Sequence, residues 1–191
     1  YGITSHQILE NTGKHVNMSA DELRVKLADP KIGWAYVGQA QQFPKLHQLG
    51  PMRQSVTKRT FINTFEKLLQ PIKNKNGNVV FTGYVHSPYR EKLVNLMFAQ
   101  EKCHGFFALK SIEGSTICRL NKDTEVLGFI RSESSPQNGG IASLNSKTPA
   151  WQNQPGVDSL DGKYSPEDFG VRSSFSDIRR DITITDITRA G

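Results

Sequence analysis

The chain has 191 residues, of which 36% are apolar with every aromatic type represented, enough for one ordinary domain with a sizeable core. No run approaches the roughly 18 apolar residues of a membrane span, so a helical membrane protein is excluded and a cytoplasmic one is expected. The net charge of +6 favours anionic partners. In chain order, "TSHQILENT", residues 4–12, reads as a short helix closed by Gly13 in the left-handed conformation. In "NMSADELRVKLADP" Ser19 and Glu22 predict a capping box, Leu23 and Leu27 an inward face, and Pro30 the stop. "IGWAYVG", 32–38, reads as a short strand between glycines, and Pro44, Gly50 and Pro51 break the next segment into turns. Thr57 is placed to cap a helix from Arg59 to Leu69 with Phe61, Phe65, Leu68 and Leu69 inward, leaving Lys58, Arg59 and Glu66 facing water or a ligand.

The middle of the chain is the most legible part. An Asn76-Gly77 turn leads into an apolar strand, Val79 to Val85, that reads as buried on both faces. Ser87 as N-cap and Pro88 at the first helical position open an amphipathic helix, "PYREKLVNLMFAQEK", and "GFFALK" is the next strand. Strand, helix and strand at this spacing predict a right-handed βαβ unit. The fold class is therefore α/β: a mixed, mostly parallel sheet flanked by helices. Residues 132–162 are rich in turn formers and read as a long loop holding at most a strand or two, while "DITITDI" near the C-terminus alternates as a strand does. Cys103 and Cys118 lack C-x-x-C spacing and read as reduced thiols. Residue 1 is Tyr and no secretory signal opens the chain, so 1–191 reads as one domain of a longer protein.

Charge is concentrated rather than spread. Between Lys45 and Lys122 there are thirteen bases and four acids, a balance of +9, and from Asp123 onward the balance is acidic. Such a concentration suits either a polyanion, held by counterion release, or a small phosphate in a pocket. Arg53, Lys58, Arg59 and Lys67, with Lys73 and Lys75 on the following loop, are the candidate phosphate contacts. No RNP-type aromatic motif, zinc finger or helix-turn-helix signature accompanies them, so salt-dependent binding with little sequence preference is expected. His104 beside Cys103 is not a nucleophile and base pair, because neighbours on a strand face opposite ways. Asp168 and Glu167, behind Ser165 and Pro166, read as fixing a turn through side-chain to backbone hydrogen bonds.

Several segments together resemble the anthranilate phosphoribosyltransferase superfamily: "SHQILENTG", "IGWAYVGQAQQFPKLHQLGPMRQSVTKRTFIN" and "YSPEDFG", in order over residues 1 to 172. Within it, "KRTFINTFEKLLQP" and "HSPYREKLVNLMFAQ" are similar to the divergent YbiB-like branch of TrpD-like proteins. The resemblance implies a phosphoribosyltransferase or nucleoside-phosphorylase type of catalytic domain whose helical domain and diphosphate loop would precede Tyr1. It also implies a homodimer for the intact protein and, for the YbiB-like branch, non-specific nucleic-acid binding without catalysis.

Departures from the family pattern matter as much. The His-Pro pair that helps hold anthranilate in the enzymes is matched by Phe43-Pro44, while the arginine that meets the acceptor carboxylate is matched by Arg53. A guanidinium there suits a carboxylate or a phosphate equally. Glu66-Lys67 replaces a glycine-proline loop, and Thr116-Ile117 falls where the enzymes carry the Asp-Glu pair that holds Mg²⁺; nearby Glu113 is the one acid that could substitute. No cofactor and no catalytic or metal-binding residue is therefore expected. The alternative is a transferase using Mg²⁺ with phosphoribosyl diphosphate on an acidic acceptor bound by Arg53.

Overall fold

Four strands and the helix between the first two organise the middle of the chain, as seen in a computed structural model that describes residues 3–56, 60–112, 114–118, 122–132, 151–152, 154–165 and 168. The expectations for Thr57, Lys58, Arg59, Glu113, Glu167 and "DITITDI" lie outside these residues. Spatial proximity divides the chain into two units, residues 1–63 with 177–191, and residues 64–176.

In the first unit α1 (Ser5–Asn11) ends at Gly13 as its sequence predicts. Thr4 and Gln7 form a capping box. Gly13, at φ +73°, donates to Glu10 O at 2.9 Å while Lys14 N reaches Leu9 O at 3.0 Å, the paired bonds of a Schellman ending. α2 (Ala20–Ala28) starts from the Ser19–Glu22 capping box and buries Leu23, but Leu27 is exposed. Val16 and Met18 join Leu23 inside, and the Gln42 amide donates to Met18 O at 3.0 Å. Residues 33–38 pair with no described strand and begin at Gly33 with φ +63°, so the strand expected over 32–38 is not seen among the described residues. Short helices α3 (Gln39–Gln42), α4 (Pro44–His47) and α5 (Gly50–Ser55) come next, the last two with proline in the first turn.

The helix expected from Arg59 to Leu69 is also corrected. Among its described residues only α6 (Ile62–Phe65) and a 3₁₀ turn (Glu66–Leu68) form, burying Ile62 and Leu68, whereas Phe61 and Phe65 are exposed. The apolar residues of this stretch would share one helical face, yet only Ile62 and Leu68 are buried, so packing rather than period decides such short elements.

In the second unit β1 (Asn78–Tyr84), α7 (Tyr89–Phe98) and β2 (Cys103–Lys110) make the expected βαβ unit, with β1 and β2 parallel. β3 (Thr124–Arg131) and β4 (Val157–Tyr164) continue the sheet in the order β1-β2-β3-β4, each antiparallel to its neighbour. The sheet is thus mixed, but among the described strands two of the three pairings are antiparallel, not mostly parallel. β4 also takes the end of the stretch expected as a loop, 132–162; residues 133–150 and 153 are not described.

α7 covers one face of this sheet because Leu93, Val94, Met97 and Phe98 repeat at helical spacing and meet Tyr84, Phe106, Ala108, Leu127, Phe129 and Trp151. Each large side chain buried there contributes about 1.5–3 kcal/mol against exposure. Ser87 does not cap the helix: α7 begins behind Pro88, and the Ser87 hydroxyl accepts from Lys110 Nζ at 3.2 Å. The sheet's other face is open at β1, where Val79 is 46% and Phe81 59% exposed, so β1 is not buried on both sides, and among the described strands it lies at the margin. Among the described residues no helix is long and apolar enough to cross a membrane.

Candidate functional site

The loop before β1 is ordered by amides. Asn78 donates through Nδ2 to Gln70 Oε1 at 2.9 Å and Ile72 O at 2.7 Å, and its Oδ1 accepts from Asn74 N at 3.2 Å. Asn74 in turn accepts from Asn76 N through its side chain and from Gly77 N through its carbonyl. Gly77 takes φ +84° at a point where a Cβ would lie 2.9 Å from His104 Cβ, so only glycine suits this turn. The result is a fixed turn carrying exposed Lys73 and Lys75, tied through Asn78 N to the carbonyl of Lys102, whose side chain is exposed as well. Three exposed lysines thereby stand at the N-terminal end of the parallel pair.

Lys67 lies at the opposite end. Its Nζ donates to Gly114 O at 2.5 Å and Gly83 O at 3.5 Å, joining the last turns of β1 to the loop after β2. That loop folds tightly onto β1: Ser111 N donates to Tyr84 O at 3.1 Å, the Ser111 hydroxyl donates to Ser115 O, and Gly114 takes φ +74°. The carboxyl ends of parallel strands are the usual ligand position in α/β sheets. A strand rises about 3.3 Å per residue, so the two ends of β1 are about 20 Å apart. Lys67 is consequently not in one cluster with Lys73 and Lys75.

Arg53, in α5, donates through Nη2 to Asn63 Oδ1 at 2.6 Å, an uncharged acceptor that also takes the Thr60 hydroxyl at 3.3 Å. It belongs to the first unit, whereas Lys67, Lys73 and Lys75 belong to the second. Lys58 and Arg59 fall outside the described residues.

A charged network on the helix-covered face has no counterpart among the sequence expectations. Lys110 Nζ donates to Glu125 Oε1 at 3.3 Å as well as to Ser87, and Tyr84 OH donates to Glu125 Oε2 at 3.4 Å. Arg90 pairs with Asp161 beside them. Burial, reinforced by the Glu125 charge, pushes the Tyr84 phenol up to about 12, so it stays protonated at neutral pH and offers no base. The signal that could have found this network is the register, since Tyr84 and Lys110 are cross-strand partners and Glu125 is next across the sheet.

At the position where the resemblance implies a Mg²⁺-holding acid pair, Thr116 and Ile117 are both exposed on the loop after β2, and Ile117 has no donor atom in its side chain. Among the described residues no group of three or more His, Cys, Asp or Glu side chains could hold a metal ion. The described residues there do not fit Mg²⁺. Asp168 does what its motif predicts: its carboxylate accepts from Ser165 N at 2.6 Å and Ser165 Oγ at 3.1 Å, fixing the turn.

No protein-family model matches the chain. A protein of Aquifex aeolicus (strain VF5), described as an uncharacterized protein, is 27% identical over 96 residues. The matched span is 50% of this chain and 25% of that relative, so the chain covers about a quarter of the relative's length.

Proposed function

We propose that this chain binds the phosphate backbone of nucleic acid with little sequence preference, as a TrpD-like protein of the phosphoribosyltransferase type without transferase activity. The observation that carries the reading is the amide-ordered turn that holds Lys73 and Lys75 exposed beside Lys102. A pre-ordered cationic turn loses less entropy when it meets a polyanion than a mobile one does. The balance of +9 between Lys45 and Lys122 supplies the attraction around it. Such contacts position a strand and do not read bases.

Fluorescence anisotropy titrations with single- and double-stranded oligonucleotides at about 50 and about 200 mM salt test this. Binding should fall steeply with salt, and Lys73→Glu with Lys75→Glu should weaken it and reduce the slope of log K against log salt by about 2. Absence of binding at low salt ends the reading.

A second reading is favoured by one observation, the placement of Lys67 at the carboxyl ends of β1 and β2. In that reading the chain is a transferase acting on an acidic acceptor held by Arg53. Consumption of phosphoribosyl diphosphate, measured with and without Mg²⁺ and lost in Arg53→Ala, would support it.

A further inference from the structure

We infer that the open face of the sheet is a stacking platform for the bases of a single-stranded nucleic acid, centred on Phe81 and Phe107. This rests on the backbone-binding reading and adds to it a substrate class, single strands with accessible bases.

The register places Val79, Gly105 and Ile130 in one row across the sheet, and Phe81, Phe107, Gly128 and Leu160 in the next. Helix α7 packs on the opposite face, so these side chains point away from the core it covers. Phe81 and Phe107 are stacked, with ring centroids 5.0 Å apart and planes 24° apart. Gly128 makes room for this pair: a Cβ there would lie 2.6 Å from Phe107 Cδ1. A phenyl ring that is 59% exposed and already stacked on one side can continue the stack with a base.

The surroundings decide between a base-bearing strand and an apolar protein segment. Exposed Val79 and Ile130 alone would suit either partner. Lys73, Lys75 and Lys102 stand at the end of the sheet where β1 and β2 begin, with Lys75 four residues before Val79 in the chain, so three lysines lie at the start of the strands that carry the aromatic pair. Among the described strands the acid on this face, Asp158, is in β4, three strands away from Phe81. A polyanion therefore meets three lysines against one exposed acid, Glu101, at this end of the sheet, with Asp158 three strands away. A duplex keeps its bases within its own stack and cannot use Phe81, whereas a single strand can.

The test compares the full chain's affinity for an oligothymidylate with that for an abasic oligomer of equal length, by fluorescence anisotropy at low salt. The thymidylate should bind about tenfold or more tightly than the abasic chain, the difference one stacked base makes. Phe81→Ala should remove that advantage and leave abasic binding unchanged, Phe81→Trp should restore it, and Phe81→Leu, which keeps apolar bulk without an aromatic face, should not. If wild type binds both oligomers equally, or Phe81→Leu retains the advantage, stacking is refuted while backbone binding stands. If neither oligomer binds, backbone binding fails and the platform with it. If Phe81→Ala dissociates a dimer in sedimentation and changes neither affinity, a second copy covers the face and the inference is overturned.

Discussion

The Arg131 guanidinium lies 4.3 Å from the centroid of the Phe98 ring and donates through Nη2 to the Phe98 carbonyl at 2.5 Å. Arg131 is 5% exposed, at the end of β3, and Phe98 is the last residue of α7, so one side chain fastens the helix terminus to the sheet. A cation at a helix C-terminus also meets the negative end of its dipole. Arg131→Ala should destabilise the fold by about 3 kcal/mol through the lost packing and the orphaned carbonyl. Arg131→Met, which fills the space and removes a buried charge, should cost about half that. Urea denaturation of the two variants checks the order.

Close approach at Gly83 gives a second expectation. A Cβ at this position would lie 1.6 Å from Ser115 O, a backbone atom that moves only with its loop. Gly83→Ala should displace residues 111–115, break the Lys67 bridge to Gly114, and destabilise by about 2 kcal/mol or more. Thermal melts beside Gly50→Ala, where no atom lies within 4 Å, provide the control.

Alkaline pH should weaken the fold in two overlapping ranges. Burial raises the Cys103 thiol from 9.0 to about 11 and the Tyr84 phenol from 10.0 to about 12. Between each pair of values the unfolded chain has lost a proton that the folded one keeps, so the stability contribution is complete below the lower value and is lost as pH rises through the higher. Urea midpoints should fall from about pH 9 to about pH 12. Tyr84→Phe should flatten the upper part of the decline and Cys103→Ala the lower.

The turn carrying Lys73 and Lys75 depends on Asn78 more than on its own residues. Asn78→Ala removes three hydrogen bonds, to Gln70, Ile72 and Asn74, without touching a core side chain. Amides of residues 72–77 should exchange at least tenfold faster with solvent, the consequence of losing about 1.4 kcal/mol of local stability, while those of β2 keep their protection. Nucleic-acid affinity should fall with them, without any change of net charge.

Legibility in the sequence tracks the strength of local signals. The capping box at Ser19, the Gly13 ending, the Asn76-Gly77 turn and the β1-α7-β2 unit all rest on contacts within a few residues or on a strong helical period, and these are present. Segments 32–38 and 59–69 depart from expectation because apolar content says nothing about whether a partner strand or covering face exists. β3 and β4 are less legible, since their pairing brings Thr124 to Tyr164 across a long separation that no local pattern encodes. For the site, Lys73 and Lys75 are readable as exposed cations. Their separation from Lys67 by the length of β1, and the Lys110–Glu125 network, emerge only from register.

The position of β1 at the sheet margin has a bearing on solubility. Residues 78–84, "NVVFTGY", are rich in β-formers and carry no charge, and among the described strands their only ladder partner is β2. A margin with no further described strand, beside exposed Val79 and Phe81, is a template on which another chain can add a strand. Lys73 and Lys75, immediately before it, act as gatekeepers that repel a second copy approaching in register. Neutralising those lysines should therefore increase aggregation through this margin on warming.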